Sequence, residues 1–226
     1  MMDAHMTGPA DESLNVLQDR FRGGLLLGFA GLGAASCING EHPFDFFLQH
    51  LLTAAVVAAL AWQGRRLSRL SFALVVMFMC LHLVGARYFY SYVPYDEWSQ
   101  ALFGFYISSA LGFERNHYDR LVHFAYGLLL FLPARELNAQ ALGVRGWRAS
   151  YIALLLVMST SAVYELVEVL VALMLSPETA ERYNGQQGDV FDAQKDAALA
   201  ALGAMLSCAG FAIFDRLRGP RRAKAR

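Results

Sequence analysis

Apolar residues fall into six long blocks separated by short polar stretches, near residues 23–39, 44–63, 69–87, 119–137, 149–175 and 190–214. A bilayer core of about 30 Å is crossed by roughly 20 helical residues. The pattern therefore predicts an all-α, polytopic membrane helix bundle of about six transmembrane helices. The first block, GGLLLGFAGLGAASC, offers small residues for close helix packing. The second opens at Phe44 within a GEHPFD turn, and the last follows NGQQGD and ends at Phe214. The fourth carries Pro133 near its end, where a kink or early stop is expected. The chain thus divides into an N-terminal segment (1–22), a transmembrane domain (23–214) and a basic tail (215–226).

Composition supports this division. The 226 residues are 56% hydrophobic and only 17% charged, whereas a soluble domain carries about a quarter charged residues. Formal net charge is zero, so nothing draws the chain to nucleic acid, and membrane lipids are its expected partners. Cys37, Cys80 and Cys208 lie in apolar blocks without CxxC spacing and read as small apolar fillers. The N-terminal stretch MMDAHMTGPADESLNVLQD lacks the basic region of a signal peptide, so the first helix is expected to be a retained signal-anchor.

Charge placement sets orientation. With the N-terminus inside, 14 of the 19 Lys and Arg residues fall on cytoplasmic segments and five on external ones. The positive-inside rule then places both termini in the cytoplasm and favours an even number of spans. The long connection from Tyr88 to Tyr118 lies outside. Its runs YFYSYVPYDEW and LFGFYISSALGF suit an interfacial belt or a lid over an outer site.

That topology gathers ionisable groups on one side. Asp119 and His123 share a face at the outer end of the fourth span, and Glu165 and Glu168 lie one turn apart in the fifth. Asp189, Asp192 and Asp196 recur at i, i+3, i+7 at the start of the sixth. His50 and His82 lie near the outer ends of the second and third. Each carboxylate in hydrocarbon costs about 2.5–3.5 kcal/mol on insertion scales, so such groups need a partner, a metal or a proton path. A carboxylate and an imidazole one turn apart suit a divalent ion completed by neighbouring helices, and arginines beside them suit a phosphate-bearing substrate. Local roles compete with these. Asp189 after Gly188 reads as a helix N-cap, with Asp192 at the third position favoured by the dipole. Lys195 suits snorkelling or local pairing, and His50 and His82 suit interhelical hydrogen bonds. Glu165 and Glu168 have one bland alternative, an ionic staple with Arg87 or Arg120.

The stretches RYFYSYVP, RNHYDRLVHFAYGLLLFLPARE, SAVYELVEVLVAL and YNGQQGDVFDAQKDAALAALGA resemble the YjdF-like family of bacterial inner-membrane proteins. The resemblance covers about the last three fifths of the chain and implies a multi-pass protein of the bacterial inner membrane. It also implies a special role for Asp119, His123, Glu136, Glu165, Glu168, Asp189, Asp192 and Asp196. Phe191 and Lys195 stand where tryptophan is more usual in that family. The resemblance supplies location and fold, not a reaction.

Three functions fit: a metal-dependent enzyme acting on a lipid or lipid-linked phosphate at the outer leaflet, a non-catalytic assembly protein, and a proton- or ion-coupled transporter. The absence of an internal repeat or broken-helix pair weighs against the last. For the enzyme, Glu165, Glu168 and His123 are the candidate catalytic groups, and Arg87 and Arg120 the candidate phosphate-binding ones. Asp119, His123, Glu165, Glu168, Asp189, Asp192 and Asp196 are the candidate metal ligands. Arg87, Arg120 and Lys195 leave the carboxylates Asp119, Glu165, Glu168, Asp192 and Asp196 two positive charges short. One divalent ion, Mg, Mn or Zn by its oxygen and imidazole ligands, makes up that difference; protonation is the rival.

Overall fold

The computed structural model describes residues 16–36 and 43–217. Among them the chain forms nine α-helices and no strand: α1 (Arg20–Ser36), α2 (Pro43–Gln63), α3 (Arg69–Arg87), α4 (Tyr95–Phe103), α5 (Ile107–Leu111), α6 (Tyr118–Leu142), α7 (Trp147–Met174), α8 (Pro177–Asn184) and α9 (Asp192–Leu217). The six apolar blocks correspond to α1, α2, α3, α6, α7 and α9. By length and composition, four helices suffice to cross a membrane: Phe47–Arg66, Arg69–Arg87, Trp147–Met174 and Asp192–Leu217. The other two differ in kind, since α1 has 17 residues and α6 carries Asp119, Arg120, Arg135 and Glu136. The acidic N-terminal stretch before Val16, Cys37, the turn leading into Pro43 and the tail beyond Leu217 lie outside the described residues.

Pro133 does not stop α6, which continues to Leu142 and ends at Gly143 in the left-handed conformation. The residues beyond the proline are held from outside the helix. Arg135 Nε donates to Ser150 Oγ at 3.0 Å with its guanidinium 4.0 Å from the Phe211 ring centroid, and Glu136 accepts the Ser68 N–H at 2.7 Å. Neighbouring helices can sustain a proline in this way.

The central helix is α6, packed on α3, α7 and α9. It runs parallel to α9 at unusually close range. A Cβ on Gly127 would stand 1.8 Å from the Ala200 carbonyl oxygen, and one on Gly203 would stand 2.2 Å from that of Phe124. The two backbones therefore touch, the use that small residues have in membrane bundles. Asp119, His123 and Gly127 recur every fourth residue on the α6 face, as do Asp192, Asp196, Ala200 and Ala204 on α9, so the glycine seam aligns the two acidic ends. Helices α7 and α3 run antiparallel to α6: Tyr126 meets Thr160 while Arg135 meets Ser150, and Tyr118 meets the Leu81 carbonyl while Glu136 meets Ser68.

One apolar core joins α1, α3 and α6 through Phe29, Phe72, Met79 and Val122, and a smaller one joins α6, α7 and α9 through Phe131, Val157 and Ala204. The outer faces of α7 and α9 stay apolar, with Leu166, Leu170, Met205 and Phe214 exposed. That surface fits lipid rather than water. In the connection after α3, the short helices α4 and α5 leave Leu102, Phe103, Phe105 and Tyr106 exposed, as a belt at the membrane interface would.

Candidate functional site

The helix ends at which α6 and α9 begin carry two tiers of charge. The outer tier is balanced. Arg115, in the loop before α6, donates from Nη2 to Asp119, and from Nη1 to Asp192 Oδ1 at 2.6 Å and to the Gln186 carbonyl at 2.7 Å. Arg120 pairs with Asp189 and stands 3.5 Å from Asp192 Oδ1, while Lys195 Nζ donates to Asp189 Oδ2 at 2.6 Å. Three cations thus face three aspartates.

The loops that present these groups are fixed by side-chain bonds. Gln187 takes a left-handed backbone at φ +49° and grips Asn116 twice, accepting its N–H at 3.0 Å and donating to its carbonyl at 3.1 Å. The Asp189 side chain accepts the Phe191 N–H at 3.1 Å. The capping expected of Asp189 is thereby shifted: the helix begins at Asp192 and Asp189 closes the turn before it. The Lys195 hydrogen bond, then the Phe191 N–H and the Arg120 bond, hold the Asp189 carboxyl down at about 2.

The inner tier is not balanced. One ligand atom each of His123, Glu165 and Asp196 lies within 4.8 Å of the other two, as does one each of Asp119, Asp192 and Asp196. His123 Nδ1 is 3.5 Å from Glu165 Oε1. Glu165 and Asp196 are 8% and 3% exposed, and Glu165 Oε1 and Asp196 Oδ1 have no hydrogen-bond partner. Among the described residues, no Lys or Arg forms an ion pair with Glu165, Glu168 or Asp196. Buried carboxylates in that condition require a positive partner or a proton. Donor atoms around one ion stand roughly 3 Å apart at metal–ligand distances near 2.1 Å, so side-chain rotations would close the first trio on an ion.

Glu168 is placed differently. Three residues along α7 from Glu165 turns it about 60° around the helix, among the phenols of Tyr164, Tyr90 and Tyr183 and beside Glu165. Burial and then Glu168 push the Tyr183 phenol up, which keeps it a protonated donor. A cavity of about 300 Å³ joins Glu168 to His123, Asp119 and Asp196 and continues between apolar walls.

Several sequence expectations resolve here. Of the seven candidate ligands, Asp119, His123, Glu165, Asp192 and Asp196 enter the two trios, while Asp189 belongs to the outer ion pairs. Arg87 stands apart, over the Tyr88 ring at 5.6 Å. Arg120 is engaged with aspartates, and neither arginine lines the cavity. Neither staples Glu165 or Glu168. Arg115, not Arg87, joins Arg120 and Lys195 in facing the carboxylates, through Asp119 and Asp192; it sits four residues before Asp119, the one sequence signal that marks it. His50 Nε2 meets Ser36 Oγ at 3.0 Å between α2 and α1, the interhelical role that competes with ligation, whereas His82 bonds the Tyr90 hydroxyl in the turn that follows its own helix. Nothing in the sequence marks Tyr90 for the site. It reaches the cavity because Phe89 and Tyr90 take φ of +48° and +53° and fold the ring against Gly85. Cys80 and Cys208 are free thiols packed against the two apolar cores.

The chain is similar to the Inner membrane protein YjdF of Escherichia coli (strain K12), with 35% identity over 171 residues that span 74% of this chain and 78% of that protein. No solved structure matches it. Residues 22–216 match the family described as Predicted membrane protein (DUF2238). With its long apolar helices and lipid-suited faces, the chain is an integral membrane protein and belongs to that family.

Proposed function

We propose that this is a six-span protein of the bacterial inner membrane, both termini cytoplasmic, whose His123, Glu165 and Asp196 hold a divalent cation for hydrolysis or transfer on a lipid or lipid-linked phosphate at the outer leaflet. One observation carries the reading: two carboxylates and an imidazole converge in a buried site where Glu165 Oε1 and Asp196 Oδ1 lack a hydrogen-bond partner. A Mg, Mn or Zn ion there would supply Lewis-acid charge and a more acidic bound water. The remaining work falls to the protein. Glu168, next to Glu165 and outside the trio, faces no cation and so starts protonated; it gives its proton to the leaving oxygen as the ester P–O bond breaks, and it takes up the proton released by the water whose oxygen bonds to phosphorus. Because Arg120 is engaged with aspartates and Arg87 stands apart, an ion held by the trio, and not arginine, would neutralise the phosphate.

The outer tier favours a second reading, a non-catalytic assembly protein, since Arg115, Arg120 and Lys195 tie the loops to the helix starts without needing a substrate. Metal analysis of detergent-purified protein separates the two. The enzyme reading expects about one divalent ion per chain in the wild type and loss of it in Glu165→Gln. Metal-free protein of both kinds would leave the assembly reading.

A further inference from the structure

The cavity beside the trio has two chemically distinct halves. Glu168, His123, Asp196 and the Tyr90, Tyr164 and Tyr183 phenols line one, and Leu52 and Val56 of α2, Val75, Phe78 and Met79 of α3 and Leu130 of α6 line the other. The walls come from separate parts of the bundle. Helix α2 rests on α1, α3 and α8, whereas α7 rests on α6, α8 and α9. Leu52 lines the cavity yet keeps 42% of its surface exposed, so the apolar half reaches the outer surface of the bundle beside α2. In a membrane that surface meets acyl chains.

We propose that the cavity binds a single-chain amphiphile, which enters sideways from the bilayer between α2 and α7. Its hydrocarbon lies along Val56, Val75, Phe78 and Met79, and its polar head faces His123, Glu168 and Asp196. Each half demands its own chemistry. Unpartnered Asp196 Oδ1 and Ser161 Oγ on the cavity wall need polar atoms opposite them, while a water-soluble solute would leave the Phe78 and Met79 side without apolar contact. The volume of about 300 Å³ lies at the bottom of the roughly 300–1,000 Å³ range of small-ligand pockets, which suits one chain of medium length and not the paired chains of a diacyl lipid. The head assignment deepens the cation-dependent reading and rests on it. The chain-binding half does not.

The test is photolabelling of the protein in phospholipid nanodiscs with two probes carrying the same mid-chain diazirine: decyl phosphate and a didecanoyl phosphatidic acid. The single-chain probe should label residues 52–56 and 75–79 several-fold more than the diacyl probe, with both labelling the lipid-facing residues around Leu170 alike. Val56→Trp, which fills the apolar half, should bring labelling of residues 75–79 down to the level around Leu170, whereas Leu170→Trp leaves it unchanged. Equal labelling by the two probes, or labelling indifferent to Val56→Trp in a variant that melts like the wild type, overturns the proposal. Metal analysis of the same protein, purified without chelator, separates the two readings: selective labelling in protein that holds no metal rejects the cation site and keeps the chain site.

Discussion

Arg115 Nη1 donates to Asp192 Oδ1 at 2.6 Å while Nη2 of the same guanidinium holds Asp119, so one side chain joins the starts of α6 and α9. The three side chains are only 12%, 9% and 6% exposed. Removing the guanidinium strands two buried carboxylates, and Arg115→Ala should lower stability by about 3–5 kcal/mol. Lys195, half exposed beside Asp189, is the contrast: Lys195→Ala should change stability by about 0–1 kcal/mol. Denaturation of the two variants in detergent measures both, and equal losses would refute the bridge as the main tie.

Below that bridge the glycine seam sets the spacing of the same two helices. Gly127→Ala places a methyl against the Ala200 carbonyl and should cost about 1–3 kcal/mol through overpacking. Gly28 in α1 has open space where its Cβ would go, so Gly28→Ala should be neutral or stabilising by up to about 1 kcal/mol. Melting curves that rank the two variants the other way would mean that α6 and α9 do not touch as described.

The pH dependence of Asp189 follows from its hydrogen bonds. Its carboxyl titrates near 2 in the fold, below the ordinary 3.8, so its contribution is complete above about pH 4 and is lost as pH falls toward about 2. The melting-temperature gap between wild type and Asp189→Asn should therefore stay constant from about pH 7 to pH 5 and close only below about pH 4. Closure between neutral pH and pH 5 would assign the effect to a different carboxylate.

Orientation is tested by reporter fusions. The placement of 14 basic residues inside against five outside expects fusions after Arg66, Arg145 and Arg226 to read cytoplasmic, and fusions near Glu97 and Glu181 to read external. A periplasmic C-terminus would contradict the six-span reading.

Much of this arrangement was legible in the sequence. Long apolar runs mark their helices without help from tertiary contacts, and the bounds of α3 follow directly from its run. The i, i+4 spacing of Asp119 with His123, and of Asp192 with Asp196, defined the two faces that meet. Other features depend on partners distant in sequence. Arg115 finds Asp192 across 77 positions, and Gly127 with Gly203 look like any other glycines until their backbones are seen to touch. Glu168 shares the apolar surroundings and spacing of Glu165, yet the 60° turn between them sends one toward the trio and the other among tyrosines. Tyr90 needs two left-handed residues that no residue type in YFYSYVP announces.

The central claim, a divalent cation held by His123, Glu165 and Asp196, is tested most directly by the melting temperature of purified protein with chelator and after return of Mg, Mn or Zn. Wild type should melt lower in chelator and recover with one of these ions. Asp196→Asn should ignore both treatments, and Glu168→Gln, changed outside the trio, should respond like wild type. If wild-type protein carries no stoichiometric metal and melts at the same temperature whatever is removed or added, protons rather than an ion neutralise the buried carboxylates, and the cation site is wrong.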